Sequence, residues 1–195
     1  MKFIMKSMLV CAGFACLPVW AQDANACPEG SYSIVTSPDG TSLSLLFDQF
    51  TLESSGVAGQ AMPRKVCKLA IPLHLPANQS IGVYKVDYRG FAKLSAKQET
   101  TLEVQYFLGP HDTGHSRVFK RKVKGPREGD YVFNETIGAG QMKRVGCGAA
   151  AVLNVSIALS LEGAQQAGQA MSSLDTMDAT KGGSLVYHFD LKACS

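Results

Sequence analysis

Apolar residues recur at every second position along most of this chain, and no segment sustains the 3.6-residue period of an amphipathic helix. The cleanest run is residues 149–161, where Leu153, Val155, Ile157, Leu159 and Leu161 alternate with polar or small partners. A strand with this pattern buries one face and turns Asn154, Ser156 and Ser160 to the other. Residues 41–50 (Leu43, Leu45, Phe47), 100–108 (Leu102, Val104, Tyr106, Leu108) and 185–191 (Leu185, Tyr187, Phe189, Leu191) repeat it. So do Cys67, Leu69, Ile71, Leu73 and Leu75, which alternate with Lys68, Ala70, Pro72 and His74 and put Cys67 on the core side. Pro72 has no amide hydrogen to give a ladder, which places this strand at an edge or at a bulge. Residues 31–37, 116–123 and 130–137 are further short strands, and 80–95 is a long β-prone stretch in which Gly90 predicts a bulge or bend.

Turn chemistry separates these runs. Ser37-Pro38-Asp39-Gly40 has Pro where φ is preset and Gly where φ is positive, so the strands around it form a hairpin. Residues 53–63 form a Gly/Ser loop, 76–78 a turn, 109–114 a loop and 138–140 a turn. Residues 163–173 are polar and rich in Ala and Gln, and predict a flexible loop or one helical turn. Eight to ten strands with turns between them indicate an all-β fold, an antiparallel β-sandwich or jelly-roll-like arrangement.

The start of the chain has a different character. Residues 1–21 read as a secretory signal peptide: Lys2 and Lys6 give the positive start, and an apolar stretch too short to span a bilayer follows. Pro18 ends any helix, and Val19 and Ala21 occupy the −3 and −1 positions of a cleavage site. Cleavage removes two lysines and no acid, so the formal charge falls from +3 to +1. Trp20, the one tryptophan, is lost with them. Of six cysteines, four remain: Cys27, Cys67, Cys147 and Cys194. An even number in an exported chain predicts two disulfides and a secreted or periplasmic destination. Three connectivities are open, and loop closure weakly favours Cys27–Cys67 with Cys147–Cys194. Cys27 and Cys194 bracket the rest, so residues 22–195 are expected to form a single domain.

Composition excludes a disordered tail, since 46% of residues are hydrophobic and only 18% charged. Candidate chemistry is sparse. No CxxC or CxH spacing suggests zinc, no GxSxG elbow is present, and no cofactor is implied. His74 and His188 alternate with core positions and face outward. His111, Asp112 and His115 share a loop, where a four-residue spacing fixes no ligand geometry. Asp175 and Asp178 supply too few oxygens for calcium. Among the strand carboxylates Asp48, Glu53, Asp87, Glu103, Asp130 and Glu135, nothing singles out a glycosidase pair. The sequons at Asn78, Asn134 and Asn154 matter only in a glycosylating host.

Two stretches offer binding chemistry. Arg117, Lys120, Arg121, Lys122, Lys124 and Arg127 put six cations into 11 residues. That density suits a charged edge strand that blocks aggregation. It also suits a site for a polyanion such as an anionic glycan or another envelope component. Nucleic acid is not favoured, because only Phe119 interleaves with the cations. In Asp87-Tyr88-Arg89-Gly90-Phe91, the Asp and Arg suit a cross-strand pair, and Tyr88 with Arg89 suits a recognition spot.

An ordered set of motifs resembles a secreted family, domain of unknown function 4360. It comprises Cys27-Pro28-Glu29-Gly30, Ser37-Pro38-Asp39-Gly40-Thr41, Phe47-Asp48-Gln49-Phe50 and Arg64-Lys65-Val66-Cys67. Asp87-Tyr88-Arg89-Gly90-Phe91, Val145-Gly146-Cys147-Gly148 and the terminal strand into Cys194 complete it. The family's usual tryptophan before the last cysteine is replaced by the apolar stretch Phe189-Asp190-Leu191. The resemblance implies a small exported β-domain with paired cysteines and carries no activity. Together with the absence of a reactive constellation, it points to a non-catalytic binding or structural module of the cell envelope or extracellular space. The alternatives are a secreted hydrolase with an unrecognised site and a secreted inhibitor or effector.

Overall fold

The computed structural model describes residues 27–55, 63–112, 116–163, 168–174 and 184–194. The expected signal peptide lies outside them, as do His115, Asp175 and Asp178. Strand β10 (Ala151–Gly163) occupies the middle of a four-stranded antiparallel sheet, between β4 (Arg64–Leu73) and β6 (Gln98–Leu108). Outside β6 lies β7 (Arg117–Lys124). Pro72 stands on β4, whose other edge is free of the sheet, so its missing amide hydrogen costs no ladder bond in the interior.

The second sheet is built on the long strand β5 (Gln79–Leu94). β12 (Ser184–Ala193) pairs with it, followed outward by β2 (Ser42–Phe47) and β1 (Tyr32–Thr36). Further along, β5 pairs with β11 (Ala170–Ser173), which carries β3 (Thr51–Ser54). β8 (Arg127–Thr136) and the short β9 (Arg144–Gly146) also pair with β5. All these pairings are antiparallel, and the two sheets enclose one hydrophobic cluster. The inward side of β10 is buried at every alternate position from Leu153 to Leu161, none of them more than 3% exposed.

The disulfides join Cys27 to Cys67 and Cys147 to Cys194, the pairing that loop closure favours. The first fastens the segment before β1 to β4, and the second ties the loop after β9 to the end of β12. Each bridge closes a loop of some forty residues and contributes about 2–4 kcal/mol by restricting the unfolded chain.

Three local expectations are corrected. Residues 170–173, expected in a loop or helical turn, form β11, with Ser172 and Ser173 buried. The Ser172 hydroxyl is satisfied inside, where it is hydrogen-bonded to Thr100 Oγ1 at 2.9 Å. Gly90 marks no bulge, for β5 keeps a regular register with β8 across it. Glycine is required there by close approach: a Cβ would lie 2.3 Å from the Ser173 carbonyl oxygen and 2.5 Å from the Tyr131 ring. The register shift in β5 falls instead opposite His188 and Phe189, where Lys85 and Val83 are their partners and Tyr84 is left over. Residues 53 and 54, expected in a loop, end β3, whereas 138–140 hold the expected turn, closed by the Gln141 amide on the Gly138 carbonyl.

Candidate functional site

β7 leaves the four-stranded sheet at Lys124, and β8 joins the other sheet at Arg127. The basic run therefore spans the seam between the sheets, and its six cations do not form one patch. Arg117 points inward. Its guanidinium meets Glu135 Oε1 at 3.3 Å, and Glu135 Oε2 accepts from the Tyr88 hydroxyl at 3.0 Å and the Tyr106 hydroxyl at 3.3 Å. One carboxylate thus links β5 and β8 of one sheet to β6 and β7 of the other. Burial, then nearby negative charge, pushes the Tyr88 and Tyr106 hydroxyls well above their ordinary pKa. Both remain neutral donors to Glu135. Tyr187 packs edge-on against Tyr106 at 5.4 Å and is wholly buried, its hydroxyl unpartnered among the described residues.

The remaining cations lie outside or at the rim. Lys120 pairs with Glu103 at 2.8 Å. Lys122 pairs with Glu99 and, at 3.4 Å, with Glu162. The hydrogen bond to Glu99 holds the Lys122 ammonium above its usual pKa. Arg121 sits 4.6 Å above the Phe119 ring and donates to the Lys120 carbonyl. Arg127 donates to the Asp130 carbonyl, and Lys124 stands across the ladder from Glu99. Carboxylates from β6 and β10 thus lie against the outward lysines of β7, and β7 is an edge strand.

Tyr88 and Arg89 part company. Tyr88 is fully buried, stacked on Phe119 with ring centroids 3.9 Å apart, so the recognition role expected of it is corrected: it presents no surface. Arg89 faces outward, one residue out of phase. The neighbouring Asp87 engages neither of them in the bonds that fix it. It accepts from Lys85 at 2.9 Å, from Asn134 and from His188 at 2.8 Å. Burial would raise the Asp87 pKa, but these hydrogen bonds outweigh it and hold the carboxyl below its ordinary value. Among the described residues, no group of three or more His, Cys, Asp and Glu side chains is placed to hold a metal ion.

A concavity that combines an aromatic ring with amide and hydroxyl groups lies on the outer face of the four-stranded sheet. It has a volume of about 390 Å³. Two rows of outward residues line it. Ala70, Asn154 and Phe107 lie opposite one another on β4, β10 and β6, and Lys68, Ser156 and Gln105 form the adjacent row. Strand spacing and rise make this a patch of about 10 by 7 Å. Its polar groups are pre-positioned. Asn154 Nδ2 donates to the Gly109 carbonyl at 2.8 Å, and Gln105 Nε2 donates to Ser116 Oγ at 3.0 Å. Ser116 in turn donates to Asp112. Each amide is fixed through its nitrogen, which leaves its oxygen to accept from a ligand. Phe107 supplies a half-exposed ring beside them. Among the described residues, no carboxylate lines the trough.

The alternation of β6 already put Phe107 and Gln105 outward. Sequence reasoning missed the trough because its rows exist only once β4, β10 and β6 are in register.

A family model described as a domain of unknown function (DUF4360) matches residues 23–194. An uncharacterized secreted protein of Arthroderma benhamiae is 28% identical over 156 residues, which is 79% of this chain and 62% of that protein. The chain thus spans about three-fifths of the length of that relative. Two disulfides and this relative agree with a secreted protein. Among solved structures, a carbohydrate-binding module in complex with β-1,4-galactotriose overlaps 85% of this chain and 83% of its own. Its identity is 16% and its TM-score 0.28. A virus-like particle of the extra small virus of the prawn Macrobrachium rosenbergii gives 12% identity and a TM-score of 0.21, over 69% of this chain and 82% of its own. Likenesses this slight carry no argument.

Proposed function

The chain belongs to the domain of unknown function 4360 family, and from that premise we propose that it is a secreted, non-catalytic module that binds saccharide in the trough of its four-stranded sheet. The observation that carries this reading is the set of Phe107, Asn154 and Gln105. A sugar ring offers a C–H face to an aromatic ring and hydroxyl donors at its rim. Phe107 supplies the ring, and the two fixed amide oxygens are acceptors for the hydroxyls. The site lies on the face of a sheet rather than along an edge, which suits a flat ring better than an extended peptide, whose backbone seeks an edge. It sits on rigid strands, so little ordering entropy is lost on binding. The strand carboxylates support a non-catalytic reading: Glu135 is enclosed by Arg117 and two tyrosines, while Glu103 and Asp87 lie in ion pairs on different sheets.

A glycan array followed by affinity electrophoresis tests this. The secreted protein should be retarded by at least one polysaccharide, and Phe107→Ala should migrate freely while keeping the wild-type unfolding transition. Absence of retardation by every neutral and acidic polysaccharide overturns the reading, as does undiminished retardation of Phe107→Ala.

A further inference from the structure

A second concavity, of about 480 Å³, lies where the tip of the β1–β2 hairpin meets the end of β4 and its connection to β5; it shares no lining residue with the trough. Its chemistry is unlike that of the trough. Ile81 and Phe189 form a buried apolar floor, and Leu75 and Leu191 extend it to the surface, only half-buried. Pro38 and Pro76 stiffen the rim and offer no amide hydrogens. An apolar groove with few polar groups is the usual form of a small-molecule site.

Asp39 stands on this rim; among the described residues it is the one carboxylate, and no lysine or arginine lines the groove. Its Oδ1 accepts three hydrogen bonds, from Ser37 Oγ at 2.6 Å, Thr41 Oγ1 at 2.8 Å and Thr41 N at 3.1 Å. These fix the carboxylate in the turn and leave Oδ2 without a partner among the described residues. The tip is held beside the floor by a backbone bond, the Phe189 amide donating to the Thr41 carbonyl at 2.8 Å. The remaining polar groups of the groove are Thr36, His74 and Gln79.

We propose that this groove binds a small amphiphile with an aliphatic body and a cationic ammonium head. The body lies along Leu75, Ile81 and Leu191, and the head meets Asp39 Oδ2. Apolar burial supplies the affinity, and the fixed anion selects the sign of the head group. The site is separate from the saccharide trough, and neither reading depends on the other.

Isothermal titration with decylammonium, decanol and decanoate, each below its micelle concentration, tests the proposal. Decylammonium should bind more tightly than decanoate by about tenfold, because Asp39 attracts one head and repels the other. Decanol should fall between them. The preference should shrink at 1 M salt, where the Debye length is about 3 Å. Asp39→Asn keeps an acceptor oxygen for Ser37 and Thr41, so it should retain decanol binding and lose the preference. If no probe binds saturably, the groove is not a ligand site. If wild type binds the three equally, or Asp39→Asn keeps the full preference, the assignment of the head group is overturned. Should Asp39→Asn not fold, the salt titration of the wild type decides alone, and a preference unchanged by salt contradicts the proposal.

Discussion

The outer face of the four-stranded sheet has two ends with opposite chemistry. At one end, Lys120 and Lys122 of β7 lie against Glu103, Glu99 and Glu162, so each cation is answered by a carboxylate from a neighbouring strand. At the other, Phe107, Asn154, Gln105 and Ser156 surround a hollow that, among the described residues, no carboxylate lines, and both amides keep an open acceptor. The charged end is the conspicuous one in the sequence, yet its charges are largely spent on one another. The quiet end leaves its amide oxygens open among the described residues. Local charge density overstates the net field where cross-strand neighbours carry the opposite sign.

The sharpest contrast is within the basic run itself, between Arg117 inside and Lys120 and Lys122 outside. Glu135→Ala would leave a half-buried guanidinium and two tyrosine hydroxyls without their acceptor. It should lower unfolding free energy by about 2–4 kcal/mol. Urea denaturation measures this, and a loss below about 0.5 kcal/mol would show that the seam is not held there. Next in size, Phe107→Ala should weaken saccharide binding by about 1–3 kcal/mol, the range of an aromatic binding anchor, with little effect on stability. Removing the outward pairs should matter less. Lys120→Gln with Lys122→Gln should barely move the urea midpoint, as expected of exposed, salt-screened pairs, and leave saccharide binding unchanged. The wild type should leave a heparin column by about 0.1 M salt, because Glu99, Glu103 and Glu162 offset much of the outward charge of β7. Tight retention abolished by the double substitution would reverse the comparison and restore the basic run as the contact site.

The smallest effect concerns Asp39. Hydrogen bonds from the Ser37 hydroxyl, then the Thr41 amide and hydroxyl, lower its pKa from 3.8 to about 2. A carboxylate depressed in the folded state adds stability that is present above its unfolded pKa and lost as pH falls through the folded one. The hairpin contribution should be intact above about pH 4 and fade toward pH 2. An NMR pH titration of the Asp39 carboxyl carbon checks it, and a midpoint near 3.8 would contradict the turn geometry.

Much of the fold was legible because a half-buried strand writes a period of two into its residues. The run Leu153, Val155, Ile157, Leu159, Leu161 and its outward partners fell where the alternation put them. β11 escaped notice because Ala170-Met171-Ser172-Ser173 has no β-branched or aromatic residue, and its partners come from distant strands: Thr100 meets the Ser172 hydroxyl and Tyr131 donates to the Ser173 carbonyl. Gly90 was visible as special, but its reason lies in the Tyr131 ring and the Ser173 carbonyl. For the site, composition exposed the cations of β7 and hid their partners. Glu99, Glu103 and Glu162 are brought beside them only by the pairing of β6 with β7 and β10. The burial of Tyr88 was implicit in its phase with Val86, whereas its bond to Glu135 required the two sheets to close.

The central claim is that the outer trough, and not the basic run, is where a saccharide binds. Amide chemical-shift mapping of the secreted protein, titrated with the saccharide that retards it, tests this most directly. The account predicts saturable shifts at Lys68, Gln105, Phe107, Asn154 and Ser156, and none beyond the edge of the trough. Shifts centred on Lys120, Lys122 and Lys124, with those five residues unmoved, would contradict it.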